Sequence, residues 1–121
     1  MVPRLNSGLI YTLQGDYDTA TSSYQTVIDM SPENPEGHYQ MGTLYVNQDR
    51  FTEAIPYFAK AESLYAQYSS PHIGDAHLIL AVSNSMIQQC DQAILWKNKL
   101  SGEYMNHDLL SIVNEICGQT P

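Results

Sequence analysis

Slid against itself by 34 residues, the sequence comes into register with itself: Gly8 falls on Gly42, Tyr11 on Tyr45, Tyr17 on Phe51, Ala20 on Ala54, Tyr24 on Phe58 and Val27 on Ala61. This constrains the fold more than any other feature. A chain that repeats small, aromatic and apolar positions at such a period stacks supersecondary units, none of which buries its apolar face alone. A third copy comes into register at an offset of 39 from the second, where Gly42 meets Ala81, Met41 meets Leu80, Ala54 meets Ala93 and Ile55 meets Ile94. The extra residues fit around Ser69, Ser70, Pro71, His72 and Ile73, the most loop-like stretch of this region.

Inside each unit the apolar period is helical. Ala20, Tyr24, Val27 and Ile28 form one stripe, which stops before Pro32. Ala54, Tyr57, Phe58, Ala61, Leu64 and Tyr65 form another, and Pro56 sits early enough in it to be tolerated. Helices of this length with one apolar stripe need a tertiary surface to bury it. A glycine or alanine at a helix crossing lets two backbones approach closely, and an aromatic one turn later fills the space beside the crossing. The repeated positions Gly8, Tyr11, Ala20, Tyr24, Gly42, Tyr45, Ala54, Phe58, Ala81 and Ala93 are therefore packing residues, not catalytic ones.

On these positions the chain resembles the tetratricopeptide repeat family of helix-turn-helix units. The small residue of the first helix is matched by Gly8, Gly42 and Ala81, and the following aromatic by Tyr11 and Tyr45, with Asn84 in the third copy. The alanine of the second helix is matched by Ala20, Ala54 and Ala93, and its aromatic by Tyr24 and Phe58, with Lys97 in the third copy. Pro32 closes the first copy, and Ala66 stands at that position in the second. The resemblance implies an all-α fold: a right-handed superhelical solenoid of antiparallel helix pairs, with repeats at about 1–34, 35–68 and 74–107 in a single domain. Helices are expected at roughly 2–14 with 17–30, 35–47 with 51–66, and 74–87 with 90–102. In the turns, Asp16 with Thr19 and Asp49 with Glu53 place oxygens near helix starts, as caps. Leu109, Val113 and Ile116, widened by Leu110 and Cys117, predict a seventh helix at about 106–117 that caps the last apolar face and ends at Gly118.

The length of 121 residues and the 43% apolar content suit one domain with a modest core. Thirteen acidic against five basic side chains leave a net charge of -8, which argues against nucleic acid and anionic lipid as partners. No window approaches a membrane span and the first residues lack a signal-peptide core, so direct membrane insertion is not expected and a cytoplasmic location is. Cys90 and Cys117 are read as reduced, mostly buried thiols, Cys90 because it falls where the other copies carry Tyr17 and Phe51.

No reaction chemistry is spelled out. His38, His72, His77 and His107 are not spaced as metal ligands, no glycine-rich phosphate loop is present, and the acids Asp16, Asp18, Glu33 and Glu36 sit at turns and helix starts. The expectation is a non-enzymatic protein with no catalytic residue, no cofactor and no metal.

The resemblance implies that the first helix of each pair lines a concave groove. Its lining is then Leu5, Asn6, Leu9, Thr12 and Leu13, followed by Tyr39, Gln40, Thr43, Val46 and Asn47, and then Leu78, Ile79, Val82, Ser85 and Met86. Family members that hold a carboxylate tail use lysine, arginine and asparagine on this face. Here Leu5, Leu9, Tyr39 and Thr43 stand in such places, which argues against that clamp. An apolar groove with amide groups suits a peptide segment or helix of a partner protein, and makes the chain an adaptor or scaffold. The competing reading is a structural or oligomerisation module within a larger protein, self-associating through the uncapped N-terminal end.

Overall fold

The computed structural model describes residues 16–102, 104 and 107–118, and the helix expected at 2–14, with Gly8 and Tyr11, lies outside them. Within the described residues the chain is all-α: α1 (Tyr17–Met30), α2 (Pro35–Asn47), α3 (Phe51–Gln67), α4 (Ile73–Met86), α5 (Cys90–Lys97) and α6 (Leu110–Cys117). Each helix packs antiparallel on the next, and α6 lies against α4 and α5, the arrangement of a helix-pair solenoid closed by a cap.

Local chemistry sets the ends. Asp16 accepts the Thr19 backbone N–H at 3.2 Å and the Thr19 hydroxyl at 2.8 Å, as expected. Asn34 accepts the Glu36 N–H at 3.0 Å, and Pro35 opens α2, where no N–H is needed. The expected Asp49 cap does not form. Arg50 precedes α3 and pairs with Glu53 instead (Nε–Oε2 2.7 Å), because Asp49 is committed to closing α2 in a left-handed conformation (φ 58°). Gln88, which stands at the equivalent position after α4, has φ 61°. Both turns carry the same closing bond, Arg50 N–H to Tyr45 O and Gln89 N–H to Asn84 O, each 2.9 Å. The turn geometry thus repeats even where the sequence does not.

Gly42 shows why a small residue recurs. A Cβ there would meet the Phe58 ring at 2.8 Å, and Phe58 is fully buried with no room to retreat. Around this crossing Tyr39 packs edge-on against Phe58 (5.3 Å), while Tyr45 stacks on Tyr57 (5.7 Å) beneath the Arg50 guanidinium (4.8 Å). Ala20, Tyr24, Ile28, Met41 and Leu44 fill the α1/α2 interface, and α3 continues unbroken through exposed Pro56.

The C-terminal part differs from expectation in two ways. First, α5 stops at Lys97 rather than near 102, and α6 starts at Leu110 rather than near 106. The chain tightens after Lys97, with Leu100 N–H bonded to Lys97 O at 3.0 Å, and thereby turns Leu100 into the core beside Leu110 and Val113. Second, Cys90 and Cys117 are not free thiols. They form a disulfide with their Cα atoms 5.2 Å apart, joining the first residue of α5 to the last of α6. Both are half-buried. The expectation failed because a pairing across 27 residues depends on where α6 docks, which spacing does not encode.

Candidate functional site

Helices α2 and α4 carry the expected groove residues that fall within the described residues; Leu5, Asn6, Leu9, Thr12 and Leu13 lie outside. On α2, Tyr39, Gln40, Thr43 and Val46 are half-buried and Asn47 is exposed, all on one helical face. The Thr43 hydroxyl is turned back onto Tyr39 O at 3.0 Å. On α4, Ile79 is half-buried beside Phe58 and Leu80, and Met86 is exposed. Leu78 and Val82 are different: each is only 6% exposed, packed with Leu100, Leu110 and Val113 beneath the cap. Ser85 is also internal, its hydroxyl bonded to Val82 O at 2.7 Å. The cap therefore removes part of the α4 strip from the expected surface.

In its place stands a group that the residue spacing contained unseen. Tyr65 at the end of α3 donates its hydroxyl to Glu36 Oε1 in the first turn of α2, at 2.8 Å across 29 residues. Tyr104 donates to Asp75 Oδ1 in the first turn of α4, again at 2.8 Å across 29 residues. An offset of 39 carries Glu36 onto Asp75 and Tyr65 onto Tyr104, so this is one device made twice. Gly74 makes room for the second copy, since a Cβ there would lie 2.5 Å from the Tyr104 ring. Each tyrosine ties the end of a helix pair back to its beginning.

Tyr39 sits between the two copies, edge-on to Tyr65 at 6.3 Å. Burial, followed by the charges of Asp75 and Glu36 and by Tyr104, pushes its hydroxyl up to about 12. Burial and then the bond to Glu36 push Tyr65 up as well. Two carboxylates thus stand on neighbouring helices among three phenols, and neither α2 nor α4 contains a lysine or arginine. The Asp75 side chain is 48% exposed, with Oδ1 accepting from Tyr104 and Oδ2 facing His72 Nδ1 at 3.8 Å. Such a mouth attracts cations and repels a free carboxylate.

Two of the histidines, His38 and His77, are buried with partners, and His72 and His107 are exposed. His38 Nε2 lies 2.8 Å from Pro32 O, and His77 Nε2 lies 3.0 Å from Glu62 while its ring stacks on Trp96 at 5.5 Å. Among the described residues no group of three or more histidine, cysteine or acidic side chains is placed to hold a metal, and no helix is long and apolar enough to cross a membrane.

Two family models match the sequence, one described as TPR repeat over residues 8–49 and one as tetratricopeptide repeat over 35–68. No curated protein matches it. Among solved structures, the N-terminal domain of stress-induced protein-1 (STI-1) from C. elegans superposes with a TM-score of 0.80 at 18% identity, covering 93% of this chain and 91% of that one. The first TPR of Spaghetti (RPAP3), bound to HSP90 peptide SRMEEVD, superposes with a TM-score of 0.74 at 21% identity, covering 95% and 94%. Identities this low speak to the fold alone, and the fold agrees with the models. The Gly42–Phe58 crossing, the antiparallel pairs and these matches together place the chain in the tetratricopeptide repeat family.

Proposed function

We propose that the chain is a non-enzymatic adaptor that holds a segment of a partner protein along the α2 and α4 faces, and that this segment is basic or neutral rather than a free acidic tail. Residues 35–68 and 74–107 act as two consecutive repeats in this reading, with residues 1–34 as the first. Proteins of this fold generally mediate protein–protein and peptide interactions. The observation that carries the reading is the pair Glu36 on α2 and Asp75 on α4, two helices without a lysine or arginine, with Tyr65 and Tyr104 holding the carboxylates in place. The Spaghetti domain was solved with a peptide that carries three acidic residues among its last four, EEVD. A tail of that kind brought to this mouth meets two carboxylates, so binding here calls for lysine or arginine. Tyr39, Val46 and Ile79 supply the apolar contacts, and Gln40 and Asn47 supply amides for the peptide backbone.

Selection from a diverse displayed peptide library tests the reading. Enrichment of internal segments with lysine or arginine, weakened roughly threefold to tenfold in Glu36→Gln/Asp75→Asn with the fold intact, is the expected result. Enrichment of peptides with acidic C-termini would refute it. The burial of Leu78 and Val82 shortens the free apolar strip and favours the second reading, an assembly module. Light scattering over a concentration series separates the two: a monomer that selects peptides is an adaptor, and a dimer that selects none is an assembly element.

A further inference from the structure

We propose that Cys90–Cys117 is a thiol–disulfide exchange site, and that its redox state decides whether the C-terminal helix α6 stays docked. The inference is independent of the groove. It starts from how little else holds α6. The helix has eight residues and no side-chain N-cap, too short to persist without a surface to lie on. Its buried side chains are Leu110 and Val113, with Ile112 packed beside them, and Lys97 Nζ of α5 donates to Asn114 Oδ1 at 2.6 Å. The disulfide fixes its far end to the start of α5. Without that link α6 is tethered only through the segment after Lys97, and local opening of its two turns becomes far easier.

The bridge is within reach of a reductant. Cys90 and Cys117 are each half-buried, and a shallow depression of about 480 Å³ lined by Gln88, Gln89, Cys90, Asp91 and Gln92 opens at the Cys90 end. Cys90 is the first residue of α5, where the unpaired N–H groups of the first turn favour a thiolate, so Cys90 is the better leaving group. Cys117 closes α6 next to exposed Gly118 and takes the attack. A thiolate of an external dithiol bonds to Cys117 Sγ, the Sγ–Sγ bond breaks, and Cys90 leaves as a thiolate that takes up a proton. The second thiol of the same reductant then loses its proton and displaces Cys117, which is released and protonated. The bridge has gained two electrons and two protons, and the dithiol has become a cyclic disulfide. Once α6 lifts, Leu78, Val82 and Leu100 lose their cover, so reduction turns a buried face of α4 into an apolar surface. In a reducing compartment the uncapped form is the resting one, and in an oxidising compartment the capped form is.

Hydrogen–deuterium exchange of the full chain, with and without dithiothreitol, tests this. Thiol counting of the oxidised chain should find none free, and dithiothreitol should open the bridge without unfolding α1 to α3. Amides of α6 should then exchange roughly tenfold faster or more, with 17–67 unchanged. Cys90→Ser/Cys117→Ser should exchange at the fast rate whether or not dithiothreitol is present. If that variant does not fold, the wild-type comparison decides by itself. Two free thiols in the oxidised chain, a bridge that resists dithiothreitol until the whole chain unfolds, or an α6 that exchanges at one rate in both states would each overturn the proposal.

Discussion

In the α2/α3 pair Gly42 receives the ring of Phe58, and Tyr45 stacks on Tyr57; at the equivalent places in α4/α5 stand Ala81, Lys97, Asn84 and Trp96. Phe51 at the head of α3 is replaced by Cys90 at the head of α5. The first pair is locked by interleaved rings. The second buries Ser83, Asn84 and Ser85 in α4, has an eight-residue second helix, and leans on a disulfide and a cap. Both keep the same left-handed turn and the same tyrosine-to-carboxylate tie. Turns and ties are local or pairwise geometry and survive changes in the core. Where the interleaved phenyl and phenol rings are reduced to the His77–Trp96 stack, a covalent bond and the helix it anchors add to what holds the pair.

The comparison breaks most directly at Phe58. Phe58→Ala should cost about 3–5 kcal/mol in denaturant unfolding, against under about 1 kcal/mol for Lys97→Ala at the equivalent place. Equal losses would mean that the two pairs do not differ in what holds them. Gly42→Ala follows at about 1–3 kcal/mol, since the ring that must give way is enclosed, whereas Ala81 already carries that methyl. An unchanged melting temperature would show that the crossing has slack. At high pH the tyrosine mouth should fail through Tyr39. Its hydroxyl is raised from 10.0 to about 12, so its contribution is complete below pH 10 and is lost as pH climbs through 12. Relative to Tyr39→Phe, the wild type should hold a constant melting temperature up to pH 10 and lose ground from 10 to 12; parallel curves throughout would dismiss the effect. The smallest change expected is a gain. The Ser83 hydroxyl is buried with no hydrogen-bond partner among the described residues, so Ser83→Ala should stabilise by up to about 1 kcal/mol, and a loss would reveal a partner.

Much of the fold was legible. The stripes from Ala20 to Ile28 and from Ala54 to Tyr65 mark the helices, Asp16 marks a cap, and the 34-residue offset marks Gly42 as a helix crossing, because each rests on neighbours along the chain or on strict repetition; that the ring of Phe58 fills that crossing is visible only in the structure. The Asp49 cap does not form because two uses of one residue compete, and closing α2 prevails. The site was only partly legible. Tyr39, Gln40, Thr43, Val46 and Asn47 share a face as helical geometry requires, but Leu78 and Val82 were assigned to a surface that a later helix covers. Glu36 with Tyr65 was open to discovery by carrying the pair through the offset of 39 to Asp75 and Tyr104, a signal that apolar matching passes over.

The sequence by itself determined the helical period, the repeat length and an acidic chain without a reaction motif. Those are properties of local spacing and of sums over residues. Only the tertiary structure decided that Cys90 meets Cys117, that α6 covers Leu78 and Val82, and that Tyr65 meets Glu36 and Tyr104 meets Asp75 with Tyr39 beside them. Each of these depends on how far one helix is rotated and shifted against another. A displacement of a single turn would separate every one of those groups while leaving the hydrophobic pattern of each helix unchanged.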